Sequence, residues 1–314
     1  MFGLWRRLSH AGVLGINRRN ARYTLAYNPR HLYPLVDDKL RTKALAQAAG
    51  IDVPELYAVV RIEREVHQLV ERLAPYPEFV IKPARGSGGN GILVITGRSR
   101  EHFRKVGGSL ITRRELEHHV SNILSGMYSL GGHPDQAIVE YRIRFDPLFD
   151  AVAYQGVPDI RIVVLLGVPV MAMVRLPTRQ SGGRANLHQG ALGAGIDIAS
   201  GITLGAVQKN ALIREHPDTG NSISGLAIPH WEQLLGLASR CYELTGLGYQ
   251  GVDIVLDRDK GPMMLEINAR PGLNIQIANH CGLLPRLRQV ERQAQRLHTV
   301  EARLAFARTH FRAQ

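Results

Sequence analysis

The twenty residues from Gly251 to Arg270 leave the chain few choices of fold. Two apolar, alternating runs flank a turn rich in Asp and Gly with Pro262 at its end, which is the sequence form of a β-hairpin. Pairing the arms symmetrically about that turn sets Asp253 directly opposite Glu266, and side-chain alternation puts Asn268 on the same face. The other face reads Val252, Ile254 and Leu256 against Met263, Leu265 and Ile267, and is predicted to be core.

Carboxylates facing each other across two strands have Cβ atoms roughly 5 Å apart, and like charges so placed are destabilising. Something must neutralise them. Two carboxylates and an amide, with no Cys or His beside them, suit Mg²⁺ or Mn²⁺ rather than zinc. Magnesium held by few protein oxygens usually completes its shell with substrate phosphates. The plainer alternative, a hairpin whose acids face water, is equally open from these residues alone.

A chain of 314 residues with 45% hydrophobic content can bury a sizeable core, in two or three subdomains rather than one. No run reaches the roughly 18 apolar residues that cross a bilayer, and no apolar leader with a cleavage site opens the sequence, so a soluble cytoplasmic protein is expected. Cys241 and Cys281 are the only cysteines and lie far apart, which argues against a disulfide framework or a thiolate metal site.

Net charge is +12, from 39 Lys and Arg against 27 Asp and Glu, and this favours an anionic partner without naming one. Much of the excess lies at the ends. Residues 1–36 form a basic arm with Arg6, Arg7, Arg18, Arg19, Arg22 and Arg30 and no acid. Residues 285–314 are again Arg-rich at helical spacing. No RNP pattern, zinc-finger spacing or zipper accompanies these clusters, so a dedicated nucleic-acid module is a minor reading. Phe2, Leu4, Trp5 and Leu8 beside Arg6 and Arg7 suit a short amphipathic helix, packed on the body of the protein or laid on a membrane surface or partner.

From Asp37 the pattern turns regular. Leu40, Ala44, Leu45 and Ala48 predict a helix that stops at Gly50. Leu56 to Val60 reads as a strand, Glu63 to Leu73 as a helix, and Phe79 to Lys82 as a strand with Lys82 facing away from Phe79 and Ile81. Next comes Pro83-Ala84-Arg85-Gly86-Ser87-Gly88-Gly89-Asn90-Gly91, then the β-branched run 92–95. Gly86, Gly88 and Gly91 satisfy the dinucleotide fingerprint in spacing, but that motif must open a helix and this one opens a strand. It also lacks the Gly-Lys-Ser/Thr ending of a P-loop. What remains is a flexible glycine flap whose N–H groups can lie over phosphates, with Lys82 at its root. As a structural alternative it is a plain loop. The kinase motifs His-Arg-Asp and Asp-Phe-Gly are absent, as are Gly-x-Ser-x-Gly and His-Glu-x-x-His.

Arg113 to Tyr128 predicts a polar helix and Gln136 to Tyr141 a short buried strand with Glu140 near its end. Asp159 to Leu166 and Val168 to Leu176 predict two strands, with Asp159 and Arg161 on one face and Arg175 near the far end. Residues 182–190 read as a polar loop, Trp231 to Leu244 as an amphipathic helix, and the segment after Pro271-Gly272 as a helix through His280.

Taken together, the segments from about Asp37 to Leu284 resemble the ATP-grasp superfamily. Within it they resemble the glutamate ligases that modify peptide or protein C-termini, and above all a subgroup related to α-L-glutamate ligases. The resemblance rests on Asp-Lys-Leu-Arg-Thr-Lys with Gly-Ile-Asp-Val-Pro at 38–54, Val-Ile-Lys-Pro and its glycine loop at 80–91, and Val-Glu-Tyr at 139–141. Asp-Ile-Arg at 159–161, Arg-Ala-Asn-Leu-His-Gln-Gly at 184–190, and the Gly-Val-Asp-Ile and Glu-Ile-Asn-Ala-Arg-Pro-Gly arms of the hairpin complete it.

The resemblance implies an α+β ATP-grasp fold: two α+β lobes, 37–141 and 142–284, clasping ATP behind a truncated N-terminal region. It implies Lys39, Lys82 and the flap glycines Gly86, Gly88, Gly89 and Gly91 on the phosphates, Glu140 and Tyr141 at the adenine hinge, and Asp159 on the ribose side. Arg184 and Asn186 would serve the phosphate and acyl region, and Asp253, Glu266 and Asn268 two magnesium ions. Arg161, Arg175 and Arg270 would steady a carboxylate or its acyl phosphate. The implied reaction is ATP-dependent carboxylate-amine ligation, with an amino acid such as glutamate as amine and a peptide or protein carboxylate as acceptor. Family members carry a larger acceptor-holding N-terminal domain than the residues before Asp37, which leaves the acceptor, and any homo-oligomer, open. The competing readings are a nucleotide-binding partner protein without catalysis and a basic nucleic-acid or ribosome-associated binder.

Overall fold

The computed structural model describes residues 2–86, 88–99 and 102–313, without the side chains of 2–5 and Leu130. It divides into two compact units. One comprises Asp37–Ala44 and Val53–Arg144, the other Met1–Val36, Leu45–Asp52 and Phe145–Gln314.

The smaller unit is built on an antiparallel sheet of β1 (Leu56–Val60), β2 (Phe79–Pro83), β3 (Leu93–Ser99), β4 (His102–Lys105), β5 (Leu110–Thr112) and β6 (Ala137–Glu140), in the order β1-β6-β2-β3-β4-β5. Alternation explains its layering: Phe79 and Ile81 of β2 enter the core while Lys82 faces the other way. Onto the core packs the Arg113–Leu124 helix, which buries Leu116, Val120 and Ile123 at helical spacing. A capping box starts this helix, with Thr112 accepting from the Glu115 N–H and Glu115 from that of Thr112. The helix expected over Glu63–Leu73 is two short ones, Glu63–Val66 and Leu69–Arg72, whose Val66 and Leu69 reach the same core. Strands β4 and β5 lie where no strand was expected, because their residues are short polar runs without a clear period.

The larger unit carries a seven-stranded antiparallel sheet of β7 (Asp159–Leu165), β8 (Val168–Leu176), β9 (Leu192–Ile196), β10 (Thr203–Gln208), β11 (Ala211–Ile213), β12 (Tyr249–Asp257) and β13 (Gly261–Asn268). Its order is β11-β10-β9-β8-β7-β12-β13, so the hairpin forms one edge. The Trp231–Thr245 helix buries Leu234, Leu235, Ala238 and Cys241, and it packs on β7, β8, β12 and β13. Every residue of β12 is buried, so both of its faces are covered and the expectation of acids turned to water fails for Asp253.

The hairpin reaches its register by a route the symmetric count missed. Near the turn, Asp257 pairs with Gly261 and Ile254 with Met264, a register that would set Asp253 opposite Leu265. A bulge takes up one extra residue there, and Asp253 pairs with Glu266 after all. Leu265, expected in the core, is that extra residue and is only half-buried.

Residues from the N-terminal segment are built into this unit. Asn28 donates from Nδ2 to the carbonyls of Tyr249 (2.6 Å) and Ala269 (2.9 Å) and accepts from the Tyr249 N–H (2.9 Å). Buried Arg19 donates to the Pro271 carbonyl at 2.9 Å. Gln276 clasps Leu14 through both backbone groups. No helix among the described residues is long and apolar enough to cross a membrane.

Candidate active site

In the smaller unit the site residues gather at the ends of β2 and β6. Asp38 caps the Lys39–Ala48 helix through hydrogen bonds to the N–H of Leu40 (3.0 Å) and Arg41 (3.4 Å). One turn into this helix, Lys43 donates to Glu140 Oε2 at 2.8 Å and also to the Pro54 carbonyl. Lys82 pairs with the other oxygen, Oε1. Val80 is paired with Glu140 in the sheet, so Lys82 and Glu140 share a face by alternation.

All three side chains are buried, and two ammonium groups divide one carboxylate, which leaves a net positive charge. Burial pushes the Glu140 carboxyl up, but Lys82 and Lys43 together outweigh it and hold the group below the usual carboxylate range. For Lys43 burial wins: it lowers the ammonium, Lys82 adds to the effect, and Glu140 offsets it only in part. A second anion would relieve that excess. Lys43 closes the Asp-Lys-Leu-Arg-Thr-Lys run, and its spacing of four from Lys39, one helical turn, is the signal in the sequence that marks it as a site residue.

The glycine flap is pinned from beneath. Lys39 donates to the Gly86 carbonyl at 2.7 Å, and Asp135 accepts from the Arg85 N–H at 3.0 Å and the Ser129 hydroxyl at 2.5 Å. Gly91 has φ of +73°, and a Cβ there would meet the Tyr128 ring at 2.6 Å. The Gly91 carbonyl lies 3.0 Å from His119 Nε2. Burial lowers the His119 pKa, and because a carbonyl can only accept, Nε2 carries the proton it donates to Gly91. Gly88 and Gly89 are also left-handed. Tyr141, next to Glu140, donates its N–H to the Glu55 carbonyl at 2.8 Å.

In the larger unit a row of charges crosses one face of the sheet, set by the register Glu266–Asp253–Arg161 across β13, β12 and β7, and by Asp159–Arg175 across β7 and β8. Arg161 grips Asp253 with both ends of its fork, at 2.7 and 2.6 Å. Arg175 reaches Asp253 at 2.8 Å and holds Asp159 with its own fork. Asn268 Nδ2 lies 3.2 Å from Asp253 Oδ2 and 3.4 Å from Glu266 Oε1.

Three carboxylates against two guanidiniums leave this row net negative. Burial pushes Asp253 up, yet Arg161 and Arg175 outweigh it and hold the carboxyl well below its ordinary value. Asp159 goes the other way: burial raises it, Arg175 only partly compensates, and the Asp253 charge adds to the rise. The neutralising partner of Asp253 in this structure is thus arginine, which the hairpin alone did not foretell. Asp159, expected on the ribose side, is bound into the same row.

No group of three His, Cys, Asp or Glu side chains able to hold a metal occurs among the described residues. The set here is two carboxylates and an amide, all oxygen donors once the Asn268 amide is turned, with residual negative charge. That chemistry fits Mg²⁺, provided Asp253 shares its oxygens with the two arginines.

The remaining predicted residues are spread along the same unit. Arg184 is exposed on the 182–190 loop, and Asn186 Oδ1 caps the turn by accepting from the His188 N–H at 3.0 Å. Leu187 of this loop sits against Gly193, the sheet partner of Arg175, so the loop folds back onto the strand beside the charge row. Arg270 turns to Tyr33, with its guanidinium 5.1 Å from the ring centre.

Comparison with known proteins adds an assignment to this geometry. No curated protein matches the chain. Among solved structures, the ATP-grasp ligase PsnB complexed with minimal precursor, Mg and ADP is similar at 17% identity and a TM-score of 0.46, over 86% of this chain and 62% of that one. D-cycloserine synthetase DcsG is similar at 16% identity and 0.46, over 86% and 73%. The D-alanine-D-alanine ligase from Coxiella burnetii follows at 16% and 0.43, over 88% and 58%. The chain spans about three fifths of the length of the PsnB chains it matches. The sequence pattern of the family described as sugar-transfer associated ATP-grasp covers residues 18–292, including every element that carries the Lys43–Glu140–Lys82 cluster and the charge row. On that match, the chain belongs to the sugar-transfer associated ATP-grasp family and has the ATP-grasp fold.

Proposed function

We propose that this protein is an ATP-dependent carboxylate-amine ligase. The observation that carries the reading is the facing pair Asp253 and Glu266, with Asn268 and two arginines on the same sheet face, in a chain of the ATP-grasp family. In this reading residues 37–141 and 142–284 are its two nucleotide-binding lobes. Lys39, Lys43, Lys82 and the flap glycines take the nucleotide phosphates, with Glu140 and Tyr141 near the base. Asp253, Glu266 and Asn268 would hold Mg²⁺, which when bound neutralises phosphate charge and keeps the γ-phosphoryl in line.

The chain's own groups do the rest by position and charge. A substrate carboxylate attacks the γ-phosphorus, the bond to the β,γ-bridging oxygen breaks, and ADP leaves an acyl phosphate. In this reading Arg161 and Arg175 offer the N–H donors that steady that anion. An amine then attacks the acyl carbon, phosphate departs, and an amide remains with loss of a proton. The finer assignment is an amino acid, glutamate foremost, as amine and a peptide or protein carboxylate as acceptor.

One observation favours a second reading. Both oxygens of Asp253 accept from guanidiniums, and a nucleotide-binding partner protein without turnover could keep them so. A screen of amino acids against acidic peptides and other carboxylates, read as ADP release and as amide product by mass spectrometry, separates the two. The ligase reading predicts ADP release that needs both co-substrates. ATP binding without ADP release across the panel would support the second.

A further inference from the structure

A helical stretch over residues 16–27, broken only by a π-turn from Arg19 to Thr24, turns two unlike faces outward and inward. Inward go Arg19, Tyr23 and Thr24, all buried. Outward lie Ile16, Arg18, Ala21, Arg22 and Leu25, all exposed. Leu25 is 59% exposed and Ile16 61%, while Arg18 and Arg22 are exposed beside them.

The Leu284–Gln293 helix adjoins this stretch. Glu291 accepts from the Tyr27 hydroxyl at 2.9 Å, and Tyr23 feels the charges of Arg18, Arg22 and Arg288 as well as Glu291. Arg288 and Arg292, four apart on that helix, are both exposed. Arg6, Arg7 and Leu8 are exposed on the preceding helix, Phe2–His10. Glu291 is the one acid among these segments, since residues 1–36 contain none.

We propose that this arginine-and-aliphatic face is a docking surface for a bilayer carrying anionic lipid. The combination matches what an interfacial helix needs, cations toward headgroups and bare aliphatic side chains beside them to enter the acyl boundary. Single-stranded nucleic acid would be served by exposed aromatic rings for stacking; on this stretch Tyr23 is buried, and Tyr27 is half-buried with its hydroxyl bound to Glu291. The inference does not rest on the reaction proposed above.

Co-sedimentation of the full chain with phosphatidylcholine vesicles, with and without phosphatidylglycerol, tests it. Wild-type protein should bind only the anionic vesicles and release as salt rises. Arg18→Glu with Arg22→Glu should lower partitioning by roughly tenfold or more. Arg288→Glu with Arg292→Glu, on the other helix, should do the same, and Leu25→Ser should weaken binding at unchanged charge. Thermal melts establish that each variant is folded, and the pair on the second helix keeps the test alive if the first does not fold. The proposal is overturned if wild-type protein ignores anionic vesicles. It is equally overturned if folded charge-reversal variants bind as wild type, or if single-stranded RNA displaces the protein from vesicles and Leu25→Ser changes nothing.

Discussion

Asp253 and Glu266 face each other, yet substitution should affect them in different ways. Asp253 is buried and holds two guanidiniums. Asp253→Asn leaves those charges short of a counter-ion, so chemical denaturation should show a loss of about 3–5 kcal/mol. Glu266 is only partly buried, and Glu266→Gln should cost no more than about 1 kcal/mol while abolishing ADP release. Glu140 contributes a pH dependence to the stability of the smaller unit. Its folded pKa lies below the unfolded value, so its contribution is present above the ordinary carboxylate range and is lost as pH falls through the folded value. Urea midpoints should therefore drop on acidification in wild type and change less in Glu140→Gln, which starts lower at neutral pH. Asp159, raised instead, carries the opposite sign: between the ordinary and the raised value its contribution falls as pH rises. The sequence exposed residue types but not partners. Lys82, Glu140, Asp253 and Glu266 were readable as candidates, whereas the pairing of Lys43 with Glu140 and of Arg175 with both Asp159 and Asp253 depends on strand order that no local pattern encodes.

Among elements, the hairpin shows how a correct pairing can arise for an incomplete reason. Alternation and turn chemistry marked both arms, and the facing of Asp253 and Glu266 was anticipated, but the bulge at Leu265 that produces it has no local signature. Strands β7, β8 and β12 were legible because they are long and apolar. Strands β9, β10 and β11 were not, since glycine and short polar runs dilute their period. The glycine flap is held by two separable contacts. Gly91→Ala sets a Cβ against the Tyr128 ring and a side chain at left-handed φ, and His119→Ala removes the donor to the Gly91 carbonyl. Each should raise KM for ATP on the order of tenfold while changing kcat less, as the proposed phosphate-covering role of the flap requires. Steady-state kinetics at varied ATP reads this directly.

For the whole molecule, composition suggested a basic arm, and the contacts show a structural part. Asn28→Ala would strip hydrogen bonds from the buried backbone of Tyr249 and Ala269 and should cost about 2–4 kcal/mol by urea denaturation. Removing residues 1–36 should leave the larger unit unable to fold, with loss of a cooperative melt. Nothing in the segment's charge pattern announced this, because one amide reaching strands more than two hundred residues away leaves no periodic trace. The family match gives this chain the ATP-grasp fold, and in the proposed function its charge row turns over a magnesium nucleotide. The most direct measurement is Mg²⁺-dependent ADP release from ATP in the presence of an amino acid and carboxylate panel, comparing wild type with Glu266→Gln. Release by wild type should stop on chelation and be absent in the folded variant; equal ADP release by both, or none by wild type with any panel member, rules the ligase reading out.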